Sequence, residues 1–447
     1  MAPNGTPIYN VEIDVGMKHL SMALLGMLLC LNSWLPSPSL AASTELQRLI
    51  QTAIQNNPSL LAAEAEWQRS IHGILPAHSL DDPVLSLALL NVPVDSPRFD
   101  RTPMTGVEVR LTQKLPFPGK LALRGKVQEQ KALWQKGLYA EKQLQVARQV
   151  KDAYYRYRLQ QEVLNILAEN RGLLDGLVKT VEAQYATGRA SQRQLFQAQQ
   201  QLTRLLDRIL VEQQKQASLL AELETLTATA PLQLQATSPL PNNWQELPDV
   251  ATAGRRAEEN RPMLTAYQAL IQQYRHEKRL AVLDEKSDFT LWAGYRFRDG
   301  GDMDAADGAD FISAGVSFNL PFNQAKRRAG QAAADAGLRQ ATNAHANYLD
   351  QVRFNLGEAL RRMERSRQQQ RLYETTLLPQ ARQTWQAAIN DFQVGRGDYR
   401  ATLDLLLQLT DHELTFASLQ TDDLRNQAWY EYETGQGPLP DRKEKVD

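Results

Sequence analysis

Tyr185-Ala186-Thr187-Gly188-Arg189 and Phe392-Gln393-Val394-Gly395-Arg396 are short glycine turns, each set between two long stretches of helical periodicity. Their glycines stand 207 residues apart. Working outward from each turn, the same landmarks recur in the same order. Asn56-Asn57-Pro58-Ser59-Leu60 and Glu259-Asn260-Arg261-Pro262-Met263-Leu264 each open an apolar helix, with prolines 204 residues apart. Proline is favoured in a first helical turn because its missing N–H would be unpaired there. Leu115-Pro116-Phe117-Pro118-Gly119-Lys120 and Leu320-Pro321-Phe322-Asn323-Gln324 recur at 205, where a proline ends a strand because it has no donor for the ladder. An ordered series at nearly constant offset predicts that the chain is built twice.

Each half carries a pair of alternating segments. Val107 to Leu115 alternates apolar and polar residues almost without fault, and its counterpart is Ile312 to Leu320. Their earlier partners are Val84 to Val92 and Phe289 to Phe297. Alternation gives each strand one apolar and one polar face. A hairpin half-buried on a soluble core shows the same pattern, but the flanking helices offer no globular layer to cover it. Strands of about nine residues with polar alternates suit a transmembrane barrel. Four strands do not close one, so several chains must share it. Helices expected from Lys120 to Ala186 and from Gln324 to Gln393 each reach on the order of 100 Å at 1.5 Å per residue. In the first return helix Leu195, Ala198, Leu202, Leu205, Ile209, Leu219, Leu223 and Leu226 form a coiled-coil seam interrupted only by Glu212 and Gln216. Leu403, Leu407, Thr410, Leu414, Ala417, Thr421, Leu424 and Ala428 repeat it.

The 447 residues are 43% hydrophobic and 23% charged, with a formal charge of −1, which argues against nucleic acid as a partner. Lys18-His19 precede an apolar run from Leu20 to Leu35, prolines follow at 36 and 38, and Ser39-Leu40-Ala41 is a small-x-small site. Residues 1–41 therefore read as a secretory signal cut before Ala42, with Met17 as an alternative start. Cys30, the single cysteine, lies inside it without the small preceding residue of a lipoprotein site. The processed chain then has no disulfide and no thiolate metal site. The expected organisation is repeat 1 over 42–230, a linker over 231–255, repeat 2 over 256–432 and a flexible tail over 433–447. The hairpins lie at 84–115 and 289–320, and the tips near 188 and 395.

With its signal, doubled hairpin-and-helix unit, Asn-Pro helix start and glycine tips in this order, the chain resembles the TolC family of outer-membrane factors. These are the exit ducts of Gram-negative efflux pumps and of type I secretion. The Leu115 to Leu123 stretch, LPFPGKLAL, further resembles the heavy-metal branch, which serves copper, silver or cobalt-zinc-cadmium pumps. The resemblance implies a mainly α fold with a small β part. It implies a homotrimer whose four strands per chain form one 12-stranded barrel in the outer membrane, continuous with a long periplasmic α-barrel. The implied partners are a periplasmic adaptor and an inner-membrane transporter of the RND type. The implied function is a passive efflux channel and not an enzyme. A type I protein secretion duct and a structural periplasmic coiled-coil protein are the alternatives.

The resemblance also nominates residues. Acidic residues past the second tip ring the periplasmic entrance in the family. Asp404 matches one of these positions, Ala401 departs from the other, and Asp398 is a nearer substitute. Phe392 holds the position of an aromatic latch without its hydroxyl, and Gln194 and Gln197 stand where polar gate partners occur. Gly188, Arg189, Gly395 and Arg396 are candidate adaptor contacts. The ordinary alternatives are a helix-capping aspartate and a plain helical turn. Asp302, Asp304, Asp307 and Asp310 miss the register of a calcium loop, with Ser313 at its twelfth position. The six histidines never pair at helical ligand spacing, no nucleophile or phosphate-loop motif appears, and neither a metal nor a cofactor is expected.

Overall fold

Strand alternation and proline punctuation set the sheet. The computed structural model describes residues 38–234, 244, 246–301, 305 and 307–437, with side-chain burial from residue 45 onward. Its strands are β1 (Val84–Leu90), β2 (Gly106–Leu115), β3 (Phe289–Phe297) and β4 (Phe311–Phe318). They form one antiparallel sheet in the order β1-β2-β3-β4, so the hairpins of the two halves join edge to edge. Directly opposed residues share a face. Leu85, Leu87 and Leu89 meet Leu111, Val109 and Val107. The same face continues through Tyr295 and Phe297 to Ile312, and from Leu291 to Val316.

In the first half the helices are α1 (Pro38–Asn56), α2 (Pro58–His72), α3 (Ile74–His78), α4 (Lys120–Ala186) and α5 (Gln192–Thr227). In the second they are α6 (Val250–Asn260), α7 (Pro262–Leu283), α8 (Gln324–Leu372), α9 (Leu378–Gln393) and α10 (Tyr399–Glu433). The long helix expected from Gln324 to Gln393 is interrupted by a π-helical turn at Tyr373–Leu377. Pro379, in the first turn of α9, supplies the cause: it cannot donate to the Thr375 carbonyl and its ring crowds that group. Among the described residues no helix is long and apolar enough to cross a membrane.

The duplication is visible in the packing. One core joins α1, α4 and α5, and another joins α6, α8 and α10. Val146, Val150, Ala153, Tyr154 and Tyr157 of the first are matched 206 residues later by Val352, Leu356, Ala359, Leu360 and Met363 of the second. The helix starts match as well. Asn57 caps α2, and its amide Nδ2 donates to the Leu226 carbonyl at 2.8 Å. Arg261 stands at the same place before α7, and its guanidinium donates to the Tyr432 carbonyl at 3.0 Å.

Three expectations need correction. Leu407 is exposed and Leu406 is buried in its place, because α10 follows the helical period around Tyr399, Leu403, Leu406 and Leu409 instead of a strict heptad. The linker is shorter than 231–255: α6 begins at Val250, where the Asp249 side chain accepts the Thr252 N–H at 2.7 Å. Residues 433–435, expected in a mobile tail, are buried. There Gly435, at a φ of 71°, lets the Gln436 N–H close the helix on the Glu431 carbonyl. The expected tail from 438, linker residues 235–243 and 245, Asp302, Asp304, and residues 1–37 with Cys30 lie outside the described residues. The polar break in the first seam has partners. Glu212 accepts Gln160 Nε2 at 2.7 Å and Lys215 Nζ at 2.9 Å.

Candidate functional site

Both tips are built by one backbone pattern. Gly188 and Gly395 have φ of 73° and 78°, a region where a side chain is strained and glycine is not. The Gly188 N–H donates to the Tyr185 carbonyl and the Arg189 N–H to the Gln184 carbonyl, at 2.9 and 2.8 Å. The Gly395 N–H donates to the Phe392 carbonyl and the Arg396 N–H to the Asp391 carbonyl, at 3.1 and 2.9 Å. These bonds satisfy helix-end carbonyls as a left-handed cap does. The next helix starts with a side-chain cap in each case. Ser191 accepts the Gln194 N–H, and Gln194 Oε1 accepts the Ser191 N–H at 2.8 Å. Asp398 Oδ2 accepts the Ala401 N–H at 2.9 Å.

The nominated residues thus fall into two groups. Gln194, Asp398 and Phe392 hold the turns together. Gln194 and Asp398 each commit one side-chain oxygen to capping. Phe392 is buried, with its ring centroid 6.2 Å from that of Tyr399. Its carbonyl accepts Gln184 Nε2 at 2.8 Å, which ties the first tip to the second. The Phe392 ring therefore belongs to the core and does not line an opening. Asp404, Gln197, Arg189 and Arg396 are exposed. The space around Gly188 and Gly395 where a Cβ would stand is open. Asp404 sits next to buried Leu403, turned from the core.

Beneath the turns the four tip helices share a core. It takes Leu174, Leu177, Val178 and Val181 from α4, Ala198 from α5, Trp385 and Ile389 from α9, and Leu403, Leu406 and Leu409 from α10. Inside it a polar link joins the two halves: Thr410 Oγ1 donates to Asn170 Oδ1 at 2.5 Å, and Asn170 Nδ2 donates to the Ile166 carbonyl. Burial pushes the Tyr399 hydroxyl up to about 12. The Thr410–Asn170 link spans 240 positions in sequence, and no local pattern signals it.

The polar face of the sheet is a second cluster, which alternation alone did not reveal. Glu108 is buried and pairs with Arg110 Nη2 at 2.6 Å and Arg296 Nη2 at 3.2 Å. The Arg110 guanidinium lies 4.4 Å from the Trp292 ring centroid. Gly315 faces Trp292, and a Cβ there would come within 2.8 Å of the indole. Beyond the strands, Asp310 accepts the Tyr295 hydroxyl and the Arg298 N–H. Among the described residues no three His, Cys, Asp or Glu side chains gather where they could hold a metal ion.

Residues 49–229 match the outer membrane efflux protein family. No curated protein sequence matches the chain significantly. Among solved structures, the fold superposes on CusC, described for the changes that accompany its folding and transmembrane channel formation. The TM-score is 0.76 at 17% identity, over 88% of this chain and 92% of that one. It superposes equally on the outer membrane protein VceC of Vibrio cholerae, at 0.74 and 17% identity over 88% and 97% of the two chains. For the outer membrane channel CmeC of Campylobacter jejuni the values are 0.75 and 15%, over 88% and 86%. These likenesses carry the fold through both repeats, and the sequence match covers the first. Residues 49–229 thus match the outer membrane efflux protein family, and the fold through both repeats is similar to that of these outer-membrane channels.

Proposed function

We propose that this protein is the outer-membrane channel of a tripartite efflux pump, a passive duct that performs no chemistry. The observation that carries this reading is the sheet register. Every charged residue of the four strands, namely Glu108, Arg110, Lys114 and Arg296, falls on one face. The other face is apolar from Leu85 to Phe318, apart from Gln113 and the Tyr295 hydroxyl, and much of it is exposed. Large exposed apolar surface needs a partner. Lipid on that face and water on the other satisfy both, provided that the sheet closes into a barrel without edges. Three copies supply 12 strands, an ordinary size for such barrels.

On this reading the long helices extend through the periplasm and the glycine turns stand at its inner mouth. Arg189 and Arg396, exposed beside those turns, are candidate contacts for an adaptor protein that couples the duct to an inner-membrane transporter. Asp404 and, through the carboxylate oxygen not used in capping, Asp398 are candidate members of an acidic ring. Three-fold repetition would let such a ring attract cations and resist crowding at a closed mouth. Opening needs only a shift between two arrangements of the tip helices, favoured by whatever binds the open one better.

The test is fractionation followed by native mass measurement in detergent. The protein is expected in the outer membrane, released by detergent as a trimer. A monomer that remains soluble after membranes are removed would point to a periplasmic coiled-coil protein instead.

A further inference from the structure

We infer that the polar face of the sheet forms an anion-favouring belt near the outer end of the duct. This rests on the channel reading. Within the strands that face carries three cations, Arg110, Lys114 and Arg296, against the single carboxylate of Glu108. Glu108 is already shared between both arginines, at 2.6 and 3.2 Å. One carboxylate offers four lone-pair sites but only one charge, so the cluster keeps a positive excess. Lys114 is exposed on the same face two pleats away.

The donors point the same way as the charge. The buried Nε–H of Arg110 and that of Arg296 have no acceptor among the described residues. The Arg110 side chain as a whole is 41% exposed, so the rest of its fork is open to an anion passing along this face. The site is also built: Trp292 stacks under Arg110, and Gly315 leaves the room that the indole needs. Guanidinium groups in fork geometry suit chloride, carboxylates and phosphates.

Rings of like charge with low-dielectric walls concentrate the opposite ion in a pore. The acidic residues Asp299, Asp307 and Asp310 lie past the strand ends, where salt screens exposed charges over about 8 Å. The barrel interior is screened less, so the belt dominates the selectivity of that segment. It favours small anionic solutes or negatively charged complexes and disfavours bare metal cations.

The experiment is reversal-potential recording in a KCl gradient across a planar bilayer. The full-length D398N/D404N protein serves as the background, so that tip charge does not contribute. That background is expected to prefer chloride. R110Q/K114Q, which leaves Arg296 paired with Glu108, should lower the chloride-to-potassium permeability ratio by about twofold or more. K114Q alone, at an exposed position, should move it the same way by less. Pores that prefer potassium, or whose reversal potential stays put in both variants, would overturn the belt while leaving the channel reading intact. Absence of any pore would overturn the channel and the belt together.

Discussion

Arg261 Nη1 and Glu433 Oε2 lie 2.5 Å apart, in side chains only 2% and 3% exposed. This pair occupies the place where the first repeat uses the neutral Asn57 to reach the Leu226 carbonyl. A larger cation at the copied position recruits counter-charge from elsewhere: Glu433 from the end of α10 and Glu141 from α4, the latter 2.9 Å from Nη2. Tyr348 and Asn355 complete the shell, accepting from Arg261 and donating to Glu433 respectively. The node therefore locks the two repeats to each other at mid-length.

Breaking such a pair from one side leaves a buried charge. E433Q is expected to destabilise the protein by about 3–5 kcal/mol. R261N, which restores the residue of the first repeat, should cost at least as much because it strands two carboxylates. R261N/E433Q should cost less than the sum of the two. Thermal unfolding of the detergent-solubilised protein measures all three, and simple additivity would mean that the pair is not coupled.

The Thr410–Asn170 bond makes a separate prediction for the tip. T410V keeps the shape and leaves Asn170 Oδ1 without its donor, at a cost of about 1–3 kcal/mol in a buried site. Because the bond joins the two hairpins, single-channel conductance should rise while the mid-length core keeps its stability. T410S, which keeps the hydroxyl, should behave as the wild type. Equal conductance in T410V and wild type would mean that the hairpins stay together without this link.

Asp398 separates capping from charge. D398A removes the cap and should destabilise the start of α10 by about 0.5–2 kcal/mol, whereas D398N keeps an acceptor and should cost little. Hydrogen exchange of the Tyr399–Thr402 amides reads this directly. If D398N loosens those amides as much as D398A does, the carboxylate charge is what holds the turn.

Much of the fold was written locally. Strand alternation, Pro58 and Pro262 as helix starts, and Gly188 and Gly395 as turns are short-range signals, and each marks an element of the structure. Pro379 is a short-range signal of the same kind, and the π-helical turn at Tyr373–Leu377 stands just before it. The seam of α10 slipped from Leu406 to Leu407 because a heptad and a 3.6-residue period diverge within a few turns. The site was less legible. Phe392 and Gln194 matched family positions by spacing, but whether a side chain faces the core or the exterior is settled by packing between hairpins. The charged node at Arg261 and the cluster at Glu108 join residues more than 100 positions apart, and sequence carries no local trace of such pairings.

The most direct test of the duct is single-channel recording of the purified trimer in a planar lipid bilayer, wild type beside D398N/D404N. The wild type is expected to open a small pore. If Asp398 and Asp404 ring the inner mouth as proposed, the variant should conduct more and lose sensitivity to divalent cations. If neither protein conducts at any voltage while both are folded and trimeric, the channel reading is contradicted.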